Sequence, residues 1–183
     1  MLNKPTTSPK PPRTIAFKIA AAATFAALVA VATLTFVIPI PATSGYFNLG
    51  DTIIYIAALL FGPFVGLIAG AGASIADILV APQFALGTFT IKAIEGFLVG
   101  YLTKQFNKKI KSLTVSATLA ILIAGFEMVT GYFLYEIFVL GYPTALAFAE
   151  VPFNVIQMLV GLIIAIPVMH AVLKVFPQLK SYL

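Results

Sequence analysis

Glu150, Asn154, Gln157 and Gly161 follow the spacing i, i+4, i+7, i+11 and so share one face of a helix. A carboxylate and two amides descending an otherwise apolar helix can line a polar cavity. The same groups can instead hydrogen-bond between helices, as membrane bundles do. A second group, Phe47-Asn48-Leu49-Gly50-Asp51, brings an amide and a carboxylate to the mouth of a very apolar chain. A carboxylate in or beside hydrocarbon is costly and is usually kept for a reason. Asn48 suits a lid over a site. Asp51 suits either ligand contact or capping of the helix that follows, since carboxylates favour helix N-termini. Lys92 and Glu95 lie three apart and can neutralise each other; Lys92 can also reach a ligand, or pair with Asp77 across a short loop. Glu127, Gly131 and Tyr135 share a face, with Tyr132 and Glu136 on the neighbouring one. Rings beside polar groups suit a planar heterocycle, although tyrosines, Tyr46 and Tyr142 among them, also serve as interfacial anchors. The candidate binding set is therefore Asn48, Asp51, Lys92, Glu127, Tyr135, Glu150, Asn154 and Gln157. These would hydrogen-bond ring nitrogens and hydroxyls, with tyrosine stacking, and their carboxylates favour a neutral or weakly basic ligand.

Enzyme signatures are missing. The chain has no HExxH, no P-loop and no glycine-rich dinucleotide turn after a strand, so no catalytic residue is assigned and the chain cannot energise transport alone. Ser74 and the single histidine, His170, fall at different membrane depths, which argues against an intramembrane serine protease. Without cysteine there are no disulfides or thiolate metal sites, and no metal site or cofactor is expected.

Composition dictates the elements that must hold these groups. The 183 residues are 61% hydrophobic and 9% charged, with a mean hydropathy of +1.06, whereas soluble domains carry about 25% charged residues. The expectation is an all-α integral membrane protein: a tail over residues 1–13 and one membrane domain over 14–183, built as a six-helix bundle. The spans are read as Thr14–Val37, Leu49–Phe61, Phe64–Val80, Thr88–Thr103, Leu113–Leu140 and Val151–Phe176. The first is too long for the apolar core of a signal peptide. The second is short for a crossing, so it either begins near Tyr46 or spans a thinned bilayer. Gly62-Pro63 forces a hairpin between the second and third. Of the 11 basic residues only Lys92 falls outside the N-terminal region, the 104–111 connection and the C-terminus. By the positive-inside rule all three places, and both termini, are cytoplasmic. The carboxylates Asp51, Asp77, Glu136 and Glu150 map to the opposite ends of their spans, so the site faces outward. Attraction to anionic headgroups accounts for the basic tails without a nucleic-acid partner.

Span one carries Ala16, Ala20, Ala23, Ala27 and Ala30 on one line, with Ala22 and Ala26 beside it. Such small-residue surfaces let helices approach closely and serve packing or docking of a partner. Gly66, Gly70 and Ala73 make a similar surface suited to internal packing.

Several stretches in order then form a pattern: Tyr46-Phe47-Asn48-Leu49-Gly50-Asp51, Leu60-Phe61-Gly62-Pro63 with Gly66 and Gly70, Ala76-Asp77, Thr90-Ile91-Lys92 with Glu95-Gly96, Gly131-Tyr132-Phe133 with Glu136, and Glu150-Val151-Pro152-Phe153-Asn154 with Gln157. From about Thr14 onward the chain resembles the S components of energy-coupling factor (ECF) transporters, in the group holding the riboflavin and hydroxymethylpyrimidine transporters. The resemblance implies a substrate-capture subunit in the plasma membrane of a bacterium or archaeon. It would partner a transmembrane coupling protein of the EcfT type and two cytoplasmic ATPases, which hydrolyse ATP, and topple to deliver its ligand. It also implies that Ile38–Asn48 closes the site, stiffened by Pro39 and Pro41. The docking face for the coupling protein would lie at Ala16 and Ala20, Ala22 and Ala26, or Ala23 and Ala27. The expected ligand is a vitamin or precursor, with hydroxymethylpyrimidine or a pyridoxine-like compound ahead of riboflavin. Two alternatives remain open: a proton- or cation-coupled carrier using Glu127 and Asp77, and a structural protein organising partners through its alanine face.

Overall fold

A computed structural model describes residues 15–40, 43 and 45–182, apart from the side chain of Ser181. The tail with Lys4, Lys10 and Arg13, and Pro41 in the loop, lie outside the described residues. Helix α1 (Ile15–Thr35) leads into a two-stranded antiparallel ribbon, β1 (Ile38–Pro39) and β2 (Tyr46–Phe47), in which Ile38 faces Phe47 and Pro39 faces Tyr46. Then come α2 (Gly50–Phe61), α3 (Pro63–Ala71), α4 (Ala73–Val80), α5 (Ala85–Ile110), α6 (Leu113–Phe138) and α7 (Thr144–Val175), closed by a 3-10 helix at Pro177–Tyr182. The chain is a multi-pass membrane protein: α1, the α3–α4 pair, α5, α6 and α7 are each long and apolar enough to cross.

Helix α2 is the exception. It neither begins at Tyr46 nor reaches crossing length: its 12 residues rise about 18 Å, against a hydrocarbon core of about 30 Å. Ile54, Tyr55, Ala57, Ala58, Leu59 and Leu60 are each at most 3% exposed. Beyond its first turn the helix is apolar on every side, as befits a core helix, and α1, α3, α5 and α7 surround it. The ribbon continues its path on one side. On the other, the rings of Phe17, Phe61 and Tyr182 gather with centroids 6.1–6.3 Å apart. The expected hairpin follows: Gly62 takes φ +86°, a left-handed value suited to glycine, and Pro63 opens α3 at a position where its missing N–H costs nothing.

Two boundaries differ most from the sequence reading. Helix α5 runs through the expected cytoplasmic loop as far as Ile110, because its lysines sit favourably at the negative end of the helix dipole. Lys111, at φ 56°, ends it, and Ser112 accepts the N–H of Val115 to start α6. Helix α7 starts at Thr144 rather than Val151, so most of the expected outer loop Gly141–Glu150 is helical. Pro143 precedes the helix, the run Thr144–Ala149 is rich in alanine, and Pro152 lies inside the helix rather than at its start.

The α3–α5 crossing fixes the site's foundation. A Cβ on Gly66 would collide with the Gly96 carbonyl, one on Gly96 with Gly66, and one on Gly70 with the Lys92 carbonyl. Backbone therefore lies on backbone, as small residues permit in membranes, and the internal-packing role expected for Gly66 and Gly70 holds. The alanines of α1 divide: Ala22 is buried and Ala26 half-buried, while Ala16, Ala20, Ala23 and Ala27 face outward.

Candidate functional site

One pocket opens where the ribbon meets α1, α2, α4, α5, α6 and α7 at the end of the bundle opposite the α5 lysines. Its cavity is small, about 40 Å³, and Asn48, Asp51, Lys92, Glu150, Asn154 and Gln157 all line it. The rest of the wall includes Thr33, Tyr46, Asp77, Phe84, Thr88 and Tyr132.

Its floor is an ionic chain. Asp51, 1% exposed, accepts Lys92 Nζ at 2.5 Å on Oδ1 and Gln157 Nε2 at 2.9 Å on Oδ2. Lys92 also meets Glu95 Oε2 at 3.2 Å, and Tyr55 donates to Glu95 Oε1 at 2.6 Å. The ammonium lies 5.5 Å from the Tyr132 ring centroid, within cation–π range. The i,i+3 pair is thus formed and extended by Asp51. Asp77, the other expected partner of Lys92, accepts the Tyr46 hydroxyl instead.

The ribbon segment is tied to this floor at three points. Thr43 donates to Glu150, Tyr46 donates to Asp77, and the Asn48 N–H donates to Gln157 Oε1 at 2.9 Å. Burial and the facing Asp77 carboxylate push the Tyr46 hydroxyl well above the ordinary phenol range, so it stays a donor. Asp51 lies in the first turn of α2, where the helix dipole favours a carboxylate, while Asn48 Oδ1 accepts the Gly50 N–H at 2.8 Å. Asp51 is then free to face the lysine.

The stripe on α7 is real but divided. Glu150, Asn154 and Gln157 face the pocket, while Gly161 lies against the Tyr55 ring. Glu127 and Tyr135 are not on the pocket wall. Glu127 is deeper, half-buried, with Oε2 unpartnered among the described residues. Tyr135 donates to the Gln83 carbonyl at 2.9 Å. The ring on the wall is Tyr132, hydrogen-bonded to Thr88 at 2.8 Å and edge-on to Phe84 at 6.4 Å. Tyr132 and Tyr135 are neighbours on the helical wheel, and only the rotation of α6 chooses between them. Phe84 and Thr88 are one turn apart, but a span read as starting at Thr88 hid that pairing; Thr33 carried no signal. Ser74 donates to the Ala71 carbonyl, whereas His170 meets Thr114 at the other end of the bundle, so Ser74 and His170 do not pair.

A family model described as ECF-type riboflavin transporter, S component, matches residues 15–174. The uncharacterized protein in the gap 3′ region of Pyrococcus woesei is 39% identical over 137 residues, which are 74% of this chain and 88% of that protein. A solved structure, described as the S component of a bacterial ECF transporter, superposes with a TM-score of 0.68 at 22% identity. The match covers 89% of this chain and 99% of that one, and it shows a shared fold. With the family model spanning nearly every described residue, the chain belongs to the S components of ECF-type transporters, substrate-binding subunits rather than enzymes.

Proposed function

We propose that the chain captures a small, neutral, planar vitamin or vitamin precursor from outside the cell and delivers it inward with a transmembrane coupling protein and two ATPases. The observation that carries this reading is the aromatic-walled polar pocket covered by a segment tied to its floor through Thr43, Tyr46 and Asn48. The protein then crosses the plasma membrane six times, counting α2 with the ribbon as one passage, and both termini are cytoplasmic. The lysines of the 104–111 connection, Lys174 and Lys180 lie at the pole away from the pocket, in keeping with the positive-inside rule. The outward alanines Ala16, Ala20, Ala23 and Ala27 suit docking of the coupling protein, whereas Ala22 and Ala26 are used within the bundle.

Riboflavin is the first ligand to test, because the matching family model is described by it. Hydroxymethylpyrimidine and pyridoxine are the comparators. Mass spectrometry of small molecules released from the purified protein, followed by titration of flavin fluorescence, is expected to find a bound heterocycle. Co-purification with a coupling protein and two ATPases is the expected assembly. Uptake by this chain alone, driven by a pH gradient and insensitive to ATP depletion, would overturn the reading in favour of a carrier using Glu127 and Asp77.

A further inference from the structure

Glu136 and Glu150 are buried at the pocket end of the bundle, 0% and 5% exposed. Glu136 stands in the last turn of α6 and Glu150 in the second turn of α7, and the short connection between the helices brings the two carboxyls against each other. Among the described residues no donor reaches either oxygen of Glu136. Glu150 accepts the Thr43 hydroxyl from the ribbon segment. No cation offsets the pair. Stretches 38–48, 81–87 and 141–150 contain no Lys or Arg, and the C-terminal end of α6 adds further partial negative charge beside Glu136. The other titratable groups on the pocket wall with Glu150 are Tyr46 of the ribbon, Asp51 of α2, Asp77 of α4, Lys92 of α5 and Tyr132 of α6. Lys92 is held by Asp51 and Glu95, Asp77 takes the Tyr46 hydroxyl, and Tyr132 bonds to Thr88. Tyr142, in the α6–α7 connection, donates its backbone N–H to the Glu136 carbonyl.

Two carboxylates in contact and out of water repel strongly, and a single proton between them removes the repulsion and supplies the missing donor. We propose that Glu136 and Glu150 share a proton, and that this proton latches the ribbon segment over the pocket. With the proton in place, Glu136 holds Glu150 where it accepts Thr43. When the proton leaves to water in the pocket, the two charges repel. Glu150, the member on the pocket wall, then swings away and lets go of Thr43. The cover opens as the pH on the pocket side rises and closes as it falls. This goes beyond the transport reading: it needs the ribbon segment to be the cover, and no particular ligand.

The chain contains no cysteine, so spin labels attach only at introduced ones. Ile38→Cys on the ribbon and Phe148→Cys on α7, both at exposed positions, put one label on the cover and one on the body. Their separation is measured by pulsed electron paramagnetic resonance on the full-length protein in detergent, without ligand, from mildly acid to mildly alkaline buffer. One step from a shorter to a longer separation is expected, with the closed-to-open ratio falling roughly tenfold or more, the weight of a hydrogen bond to a charged acceptor. Glu136→Gln, whose amide can donate to Glu150 at every pH, is expected to stay closed throughout. Thr43→Val is expected to stay open throughout, and Asp77→Asn to keep the step. Infrared difference spectra of the unlabelled wild-type protein are expected to show a carboxylic-acid C=O band lost over the same pH range, and Glu136→Gln to lack that change. A separation indifferent to pH, a step that survives in Glu136→Gln, or one abolished by Asp77→Asn would each overturn the proposal. So would a wild-type infrared spectrum without a titrating carboxylic acid, a result that depends on no variant folding. Because no ligand is present, these outcomes are independent of which molecule the pocket takes.

Discussion

Lys92 is the one basic side chain buried in the described bundle, and two buried carboxylates, Asp51 and Glu95, depend on it. Removing one partner of a buried pair leaves uncompensated charge, at a cost of about 3–5 kcal/mol. Lys92→Met is therefore expected to lower thermal stability by that order, read by melting in detergent, and Asp51→Asn added to it should restore part of the loss. An unchanged melting temperature in Lys92→Met would show that the chain of contacts carries no stability. The Glu95 contact was legible because i,i+3 residues share a face. The Asp51 contact was not, since the two residues are 41 positions apart and only the crossing of α2 and α5 brings them together. Tyr132 shows the same limit: the spacing found the aromatic face of α6, and packing chose the ring.

At the scale of elements, the ribbon and the α3–α5 crossing do separate work. The Tyr46 hydroxyl fastens the ribbon to Asp77, and a hydrogen bond to a charged acceptor is worth about 1.5–3 kcal/mol. Tyr46→Phe is expected to speed ligand release about tenfold or more while leaving the association rate nearly unchanged, measurable by stopped-flow fluorescence. The Tyr46 hydroxyl keeps its proton through the neutral range, so the wild-type release rate should show no step from this group there. Gly96→Ala places a methyl against the Gly66 carbonyl. Overpacking of this kind costs about 1–3 kcal/mol, and the shift at Lys92, one turn away, should weaken ligand binding as well; melting and titration read both. The spans were legible from apolar runs and the hairpin from Gly62-Pro63. The ends of α5 and α7 were not, because lysine and proline mark helix ends in sequence yet are tolerated inside helices when dipole and packing allow.

For the whole molecule, the all-helical membrane architecture expected from composition holds, with five helices long and apolar enough to cross and a second segment shorter than a crossing. Hydropathy reads α2 as a weak membrane span, while packing makes it the core that the longer helices enclose. Hydropathy measures what a segment tolerates and does not record which neighbour supplies the apolar surroundings. The alanine face divides in the same way, since Ala22 is buried and Ala26 half-buried, whereas Ala16, Ala20, Ala23 and Ala27 are exposed. Ala20→Trp or Ala23→Trp is expected to abolish co-purification with the coupling protein and transport in reconstituted vesicles, with ligand affinity of the isolated subunit unchanged. Loss of affinity in these variants would place that face inside the fold instead.

The segregation of lysines to one pole has an electrical consequence. Lys104, Lys108, Lys109, Lys111, Lys174 and Lys180 lie away from the pocket, and in the proposed orientation they sit on the negative side of an energised membrane. Carrying one charge across the full field costs about 2.3 kcal/mol per 100 mV. In the toppling delivery that the family resemblance implies, part of this basic pole would be dragged against the voltage. The membrane potential would then act as a spring returning the empty subunit to its outward posture, and collapsing it with an ionophore is expected to slow that return.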